Sequence, residues 1–325
     1  MDPQHLPGLF PQRLMNRLDT LLDFHEKRVF HRLDTPEAMA ALADTEVLIT
    51  GWGCPALDET LLAATPRLHT VLHAAGSVRH LVDETGWQRG VAVSSAVAAN
   101  AVPVAEYTLA TILLSGKNAF ALSHWYARSN AYPAAQQVAE TGNYRRRVGI
   151  IGASRVGRRL LELLRPFDVI VSLSDPYVDE AEATRLGVQL LPLDHLLSTS
   201  DIVSVHAPSL PSTHHLLDER RLALIPDGAV LINTARGALI DHEALTAELE
   251  TGRLSAVLDV SDPEPLPVSS PLHQLPNVFL TPHIAGSLGN ELERLGQTVV
   301  DEAERLVEGL PLLHRVRHEE LTRVA

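Results

Sequence analysis

Cysteine occurs once in the 325 residues, at Cys54, so no disulfide can form within the chain. That fits a reducing compartment, and the cytoplasm is the expected location. No uninterrupted apolar run reaches the roughly 18 residues that span a bilayer. The segment Met1 to Phe10 lacks the charged and apolar regions of a signal peptide. No membrane association is therefore expected. Positive charge is also scarce, with 27 Lys and Arg against 40 Asp and Glu and a net charge of −13. Such a surface repels phosphate backbones and argues against nucleic acid as a partner. The one basic run, Arg145 to Arg147, reads as a solvated strand entry. Internal repeats and low-complexity segments are absent, and no cluster of residue types suggests a bound metal.

What is present is length enough for two domains, at 325 residues with 45% hydrophobic composition. Short β-rich runs alternate with helical runs, which predicts an α/β fold with parallel sheets. The first third reads as strands at Val47–Thr50, Thr70–His73 and Val91–Ser94, with helices at Leu57–Ala64 and Val78–Trp87. A long helix is expected from Pro103 to about Trp125, since proline in a first turn needs no backbone donor. A second series follows, with strands near Val148–Ile151, Val169–Leu173, Ile202–Val205, Ala229–Ile232, Ala256–Leu258 and Val278–Leu280. The last helix carries Leu288, Leu292, Leu295, Val299, Ala303 and Leu306 on one face and is expected to cross back to the first domain. The domains are placed at 1–102 with 287–325, and at 103–286.

The run Val148 to Gly157 leaves a strand, turns on glycine and opens a helix, the context a dinucleotide fingerprint requires. Gly152 permits the tight turn and Gly157 close helix–strand packing, while the helix N-terminus offers N–H groups to a pyrophosphate. Ser154 replaces the middle glycine, which alone weakens the signal. Asp175, ending the next strand, is placed to accept from the adenosine ribose hydroxyls, and favours NAD over NADP.

Four further runs carry chemistry. They are Ser204-Val205-His206-Ala207-Pro208 with Thr213, Asn233-Thr234-Ala235-Arg236-Gly237, Leu258-Asp259-Val260 with Glu264-Pro265-Leu266, and Thr281-Pro282-His283-Ile284-Ala285-Gly286. In this order and spacing they resemble the D-isomer-specific 2-hydroxyacid dehydrogenases, over about residues 47 to 310. Ala101 to Leu109, with Pro103, Ala105 and Glu106, resembles the start of that family's connector helix.

The resemblance implies two parallel-sheet domains, doubly wound, with a Rossmann-type cofactor domain inserted into a flavodoxin-like substrate domain. It also implies a homodimer and a small anionic 2-hydroxy or 2-keto acid substrate. By the resemblance, His283 is the acid/base, Glu264 holds it, and Arg236 binds the substrate carboxylate and polarises the carbonyl. Asp259 lies near the nicotinamide. Gly152, Ser154, Arg155, Val156, Gly157, Asp175, His206, Pro208, Thr213, Thr234, Ala235 and Gly286, with Arg236 and His283, line the cofactor path. The turn Gly76-Ser77-Val78 offers N–H groups to the carboxylate. The chemistry agrees: hydride transfer to a ketone builds negative charge on oxygen, which a cation and a proton donor stabilise.

Three features depart from the family. The first is Ser154. The second is Ser77-Val78-Arg79-His80, where Arg79 and His80 either face solvent or admit a second anionic group. The third is the start, where Met1-Asp2-Pro3 reads as the end of a strand. The first domain then lacks an edge strand, or its first strand is Lys27–Phe30. Trp52 and Cys54 follow a strand, and Trp52 either lines the substrate pocket or packs in the core. Two other readings stand beside the main one: a dehydrogenase of another small anion such as phosphite or a phosphonate, and a non-catalytic NAD(H)-sensing protein.

Overall fold

The computed structural model describes residues 1–24, 28–139 and 141–322. The chain divides into two compact units, Met1–Ala101 with Ser287–Ala325, and Val102–Gly286.

In the first unit, β1 (Val47–Thr50), β2 (Thr70–His73) and β3 (Ala92–Ser95) are parallel neighbours in chain order, and the strand Arg315–Val316 pairs antiparallel with β3. Among the described residues this sheet has four strands, and its parallel part agrees with the α/β, parallel-sheet expectation. Among the described residues no strand precedes Val47, which leaves β1 at an edge. Met1 and Asp2 lead into a short 3-10 turn, and Arg28 to Phe30 are irregular, while Lys27 lies outside the described residues.

Leu9, Leu14, Leu18, Leu72, Leu295, Val299 and Val300 form a buried core on which the helices Gln12–Leu21 and Leu292–Val307 pack. Asp58 and Asp83 begin helices by accepting from Leu61 N and Gly86 N, which satisfies donors the helix itself cannot. The second of these, Glu84–Gln88, corrects the expected helix Val78–Trp87. Val78, Leu81 and Val82 are buried core residues of an irregular segment, and their apolar spacing imitated a helix.

In the second unit, β4 (Arg147–Ile151), β5 (Ile170–Ser174), β6 (Gln189–Leu190), β7 (Ile202–Val205), β8 (Val230–Asn233), β9 (Ser255–Leu258) and β10 (Val278–Leu280) form one parallel sheet. Its order is β10-β9-β8-β7-β4-β5-β6, so the winding reverses between β4 and β7. In such sheets ligands bind outside the carboxyl ends of the strands at that reversal.

The long helix runs Val97–Gly116, not from Pro103. Pro103 lies inside it, and the Ala99 carbonyl loses its helical donor there. The helix stops at Asn118, in a left-handed conformation with φ 50°, and a second one follows at Ala119–Ser129. Val97–Gly116 is long and apolar enough to cross a membrane by length and composition, with a mean hydropathy of 1.5, although no single apolar run in it is that long. Core helices pass the same test, and 44% of that window is buried within the protein.

Candidate active site

β4 delivers the chain to Gly152 at φ +98°, where a Cβ would lie 2.7 Å from the Ala207 amide nitrogen. At Gly157 a Cβ would lie 2.1 Å from the Gly152 carbonyl oxygen. Only glycine fits at either position. Ser154 has ordinary extended backbone (φ −63°, ψ 177°), so glycine's freedom is not needed there. Its Oγ accepts from the Gly157 amide at 3.3 Å and caps the helix Arg155–Leu164. The departure at Ser154 is therefore a capping residue. Arg155 is exposed and Val156 half-buried at that helix start.

Asp175, just past β5, accepts from Ala153 N at 2.7 Å and from Tyr177 N at 2.8 Å. It braces the glycine turn from the neighbouring strand.

Three expected cofactor contacts have buried side chains with partners inside the domain. His206 is 3% exposed, its Nε2 bonds the Ser204 hydroxyl at 2.8 Å, and Nδ1 has no partner among the described residues. Burial drives its pKa down to about 3, so the ring is neutral. Thr234 bonds Thr108 across 2.9 Å. Asp259 is 2% exposed and accepts from Thr281 Oγ1 (2.6 Å), Ile284 N (2.8 Å) and Ala285 N (2.9 Å). Thr213 folds its own loop, donating to the Pro208 carbonyl at 2.6 Å and accepting from Leu210 N at 2.8 Å. Pro208, Ala235 and Gly286 are half-buried at the same strand ends.

After β8, Asn233 accepts from Ala235 N and donates to the Arg236 carbonyl, which shapes the turn presenting Arg236. The Arg236 side chain is exposed and donates only to the Ala235 carbonyl, with no acidic partner among the described residues. Behind it, a Cβ at Gly237 would lie 2.1 Å from the Ser261 carbonyl carbon. That close approach seats the Arg236 turn on the backbone leading to Glu264. His283 Nδ1 lies 2.6 Å from Glu264 Oε1, with both side chains about half exposed. A carboxylate only accepts, so Nδ1 carries the proton toward Glu264.

In the first unit, Gly76 is half-buried, Ser77 exposed and Val78 a core residue. The amides of these three donate to no backbone acceptor among the described residues, while the carbonyls of Ala75 and Gly76 are held by Ser95 Oγ. Arg79 N donates to Ser77 Oγ, and His80 is exposed. Trp52 packs on the core and against His5, with ring centroids 5.5 Å apart. Cys54 is partly buried, and burial pushes its thiol pKa up, which does not suit a nucleophile.

Sequence reasoning missed Tyr107, whose hydroxyl lies 2.8 Å from Thr281 Oγ1, and Gly237 as a packing position. Tyr107 gave no local signal, because its partner lies 174 residues away.

The reversed parallel sheet and its glycine turn define a Rossmann-type dinucleotide-binding domain. The model of the D-isomer specific 2-hydroxyacid dehydrogenase NAD binding domain matches residues 109–285, and the chain belongs to that family.

The chain is similar to the D-3-phosphoglycerate dehydrogenase of Mycobacterium bovis, 32% identical over 282 residues, which are 85% of this chain and 52% of that protein. It is also similar to the glyoxylate reductase of Korarchaeum cryptofilum, 28% identical over 75% of each chain. The chain spans about half the length of the D-3-phosphoglycerate dehydrogenases it matches. A solved structure from Thermus thermophilus superposes with a TM-score of 0.75 at 29% identity, covering 94% of this chain and 97% of the other. The 2-hydroxyacid dehydrogenase of Ketogulonicigenium vulgare gives 0.78 at 26% identity, covering 95% and 96%.

Proposed function

We propose that the protein is an NAD-dependent oxidoreductase interconverting a small 2-keto acid and a D-2-hydroxy acid. The observation that carries this is the His283–Glu264 pair at 2.6 Å, on the sheet that also supplies Arg236, which is exposed and has no acidic partner among the described residues.

The domain fits the cofactor that its family binds. At Gly152 and Gly157 a Cβ would strike the protein's own backbone, so glycine keeps the turn close to the neighbouring strand end, and Asp175 follows the adjacent β5. Gly152 to Gly157 would hold the pyrophosphate and Asp175 the adenosine ribose. NAD, when bound, supplies or takes the hydride. The protein's part is to bind and to move a proton. Arg236 fixes the substrate carboxylate and draws charge onto the carbonyl oxygen. His283 Nε2 gives that oxygen a proton in reduction, or takes one from the hydroxyl in oxidation. Glu264 stabilises the imidazolium through Nδ1.

The relatives' names include a phosphorylated and an unphosphorylated acid, and Arg79 with exposed His80 supports a second anionic group on the substrate. A homodimer in the cytoplasm is proposed by likeness to these metabolic dehydrogenases. Exposed Leu114, Tyr126, Tyr132 and Tyr144 in the second unit support the dimer.

The test is NADH consumption with glyoxylate, hydroxypyruvate, pyruvate, phenylpyruvate, a phosphorylated keto acid and a phosphonate analogue. Turnover of one keto acid supports the reading. NADH binding without turnover across the panel sinks it in favour of a sensing protein.

A further inference from the structure

His283 has φ +55°, a left-handed conformation that non-glycine residues rarely adopt. Little packing holds it there, because Pro282, His283 and Ile284 are all exposed. Hydrogen bonds on both sides do so instead. Ahead of His283, Thr281 N donates to the Leu258 carbonyl at 3.0 Å and Thr281 Oγ1 donates to Asp259 Oδ1 at 2.6 Å. After it, Ile284 N and Ala285 N donate to the two oxygens of the same carboxylate. His283 N itself donates to the Asp259 carbonyl at 2.9 Å. Asp259 therefore brackets the imidazole-bearing residue.

The bracket has an outer member. Since Thr281 spends its proton on a carboxylate, its oxygen must accept from Tyr107, whose hydroxyl is 2.8 Å away. The direction of the chain Tyr107→Thr281→Asp259 is thus fixed by charge. Burial, with the negative charge of Asp259 adding to it, raises the Tyr107 pKa and keeps it a donor. Tyr107 stands on the helix Val97–Gly116, so the His283 loop is tied to an element outside its own strand.

We propose that Tyr107 and Thr281 are positioning residues that hold His283 in place through Asp259. The inference rests on the reading of His283 as the proton carrier. Its loop-holding part is tested without turnover, by hydrogen exchange at the amides of Ile284 and Ala285. Losing one link of the chain, in Tyr107→Phe or Thr281→Val, should speed exchange there by about fivefold, the population change of one net hydrogen bond. In the same variants kcat should fall by about tenfold or more, since small misplacement of a catalytic group is costly, while NADH affinity stays within about twofold. Thr281→Ser keeps the hydroxyl and should restore both protection and kcat. Unchanged exchange in both Tyr107→Phe and Thr281→Val overturns the proposal. So does failure of Thr281→Ser to differ from Thr281→Val, which would reduce Thr281 to packing. A wild-type chain without turnover refutes the enzyme reading alone, because the exchange result still decides what holds the loop.

Discussion

The Asp175 carboxylate accepts the Ala153 amide at 2.7 Å, tying the end of β5 to the glycine turn after β4. One acid thus shapes the glycine turn, and under the proposed function it would also meet the ribose hydroxyls. Asp175→Ala should raise the NADH dissociation constant about tenfold or more and narrow the preference over NADPH, since a charged hydrogen bond contributes about 1.5–3 kcal/mol. Fluorescence titration with both cofactors reads the ratio. An unchanged ratio would leave Asp175 a brace for the turn and nothing more.

The paired imidazole makes a sharper forecast. His283→Ala should remove most turnover, and Glu264→Gln should lower kcat by about two decades, the scale of general acid–base help. NADH affinity should hold in both. If binding and turnover fall together in His283→Ala, the histidine serves the loop and not the chemistry.

Two buried histidines make stability depend on pH. Burial lowers His73 from 6.5 to about 4, and His206 from 6.5 to about 3. The unfolded chain therefore binds protons at these sites before the folded one does. Stability is complete above pH 6.5 and is lost as pH falls through the window below it, at about 1.4 kcal/mol per pH unit for each histidine. His73 lies in the first unit and His206 in the second, so each unit should weaken. Urea midpoints between pH 7.5 and 5 measure this, and His206→Gln should flatten the dependence of the second unit. Midpoints that do not move over that interval contradict the assignment.

Glu302 is 1% exposed and accepts from Leu313 N (3.1 Å) and His314 N (2.5 Å), immediately before the strand Arg315–Val316. Glu302→Ala should cost the first unit about 2–3 kcal/mol, because two donors lose a charged acceptor. Thermal unfolding should show it, with NADH affinity unaffected. A loss below 0.5 kcal/mol would mean water replaces the carboxylate.

The parallel sheet of the second unit was legible because its strands are short apolar runs ending in turn residues. Arg236, Glu264 and His283 were legible because each follows such a run in a recognisable motif. Other features had no local mark. Gln12–Leu21 carries only two buried residues, Leu14 and Leu18, which is too narrow a stripe to read with assurance. The helix at Val97 began ahead of a proline that reads as a first-turn residue. Val78, Leu81 and Val82 have helical spacing without a helix, since burial and periodicity are separate facts. Tyr107 depends on a partner that only the folded sheet brings near.

The serine in the glycine turn has a consequence for how anions are met there. A helix N-terminus holds a small supply of unpaired N–H groups, and those groups are what a phosphate uses. Ser154 Oγ already occupies the Gly157 amide. The helix start is capped from within the turn, and under the proposed function a pyrophosphate would find one donor fewer to claim. A third glycine in place of Ser154 would leave the Gly157 amide without this side-chain acceptor.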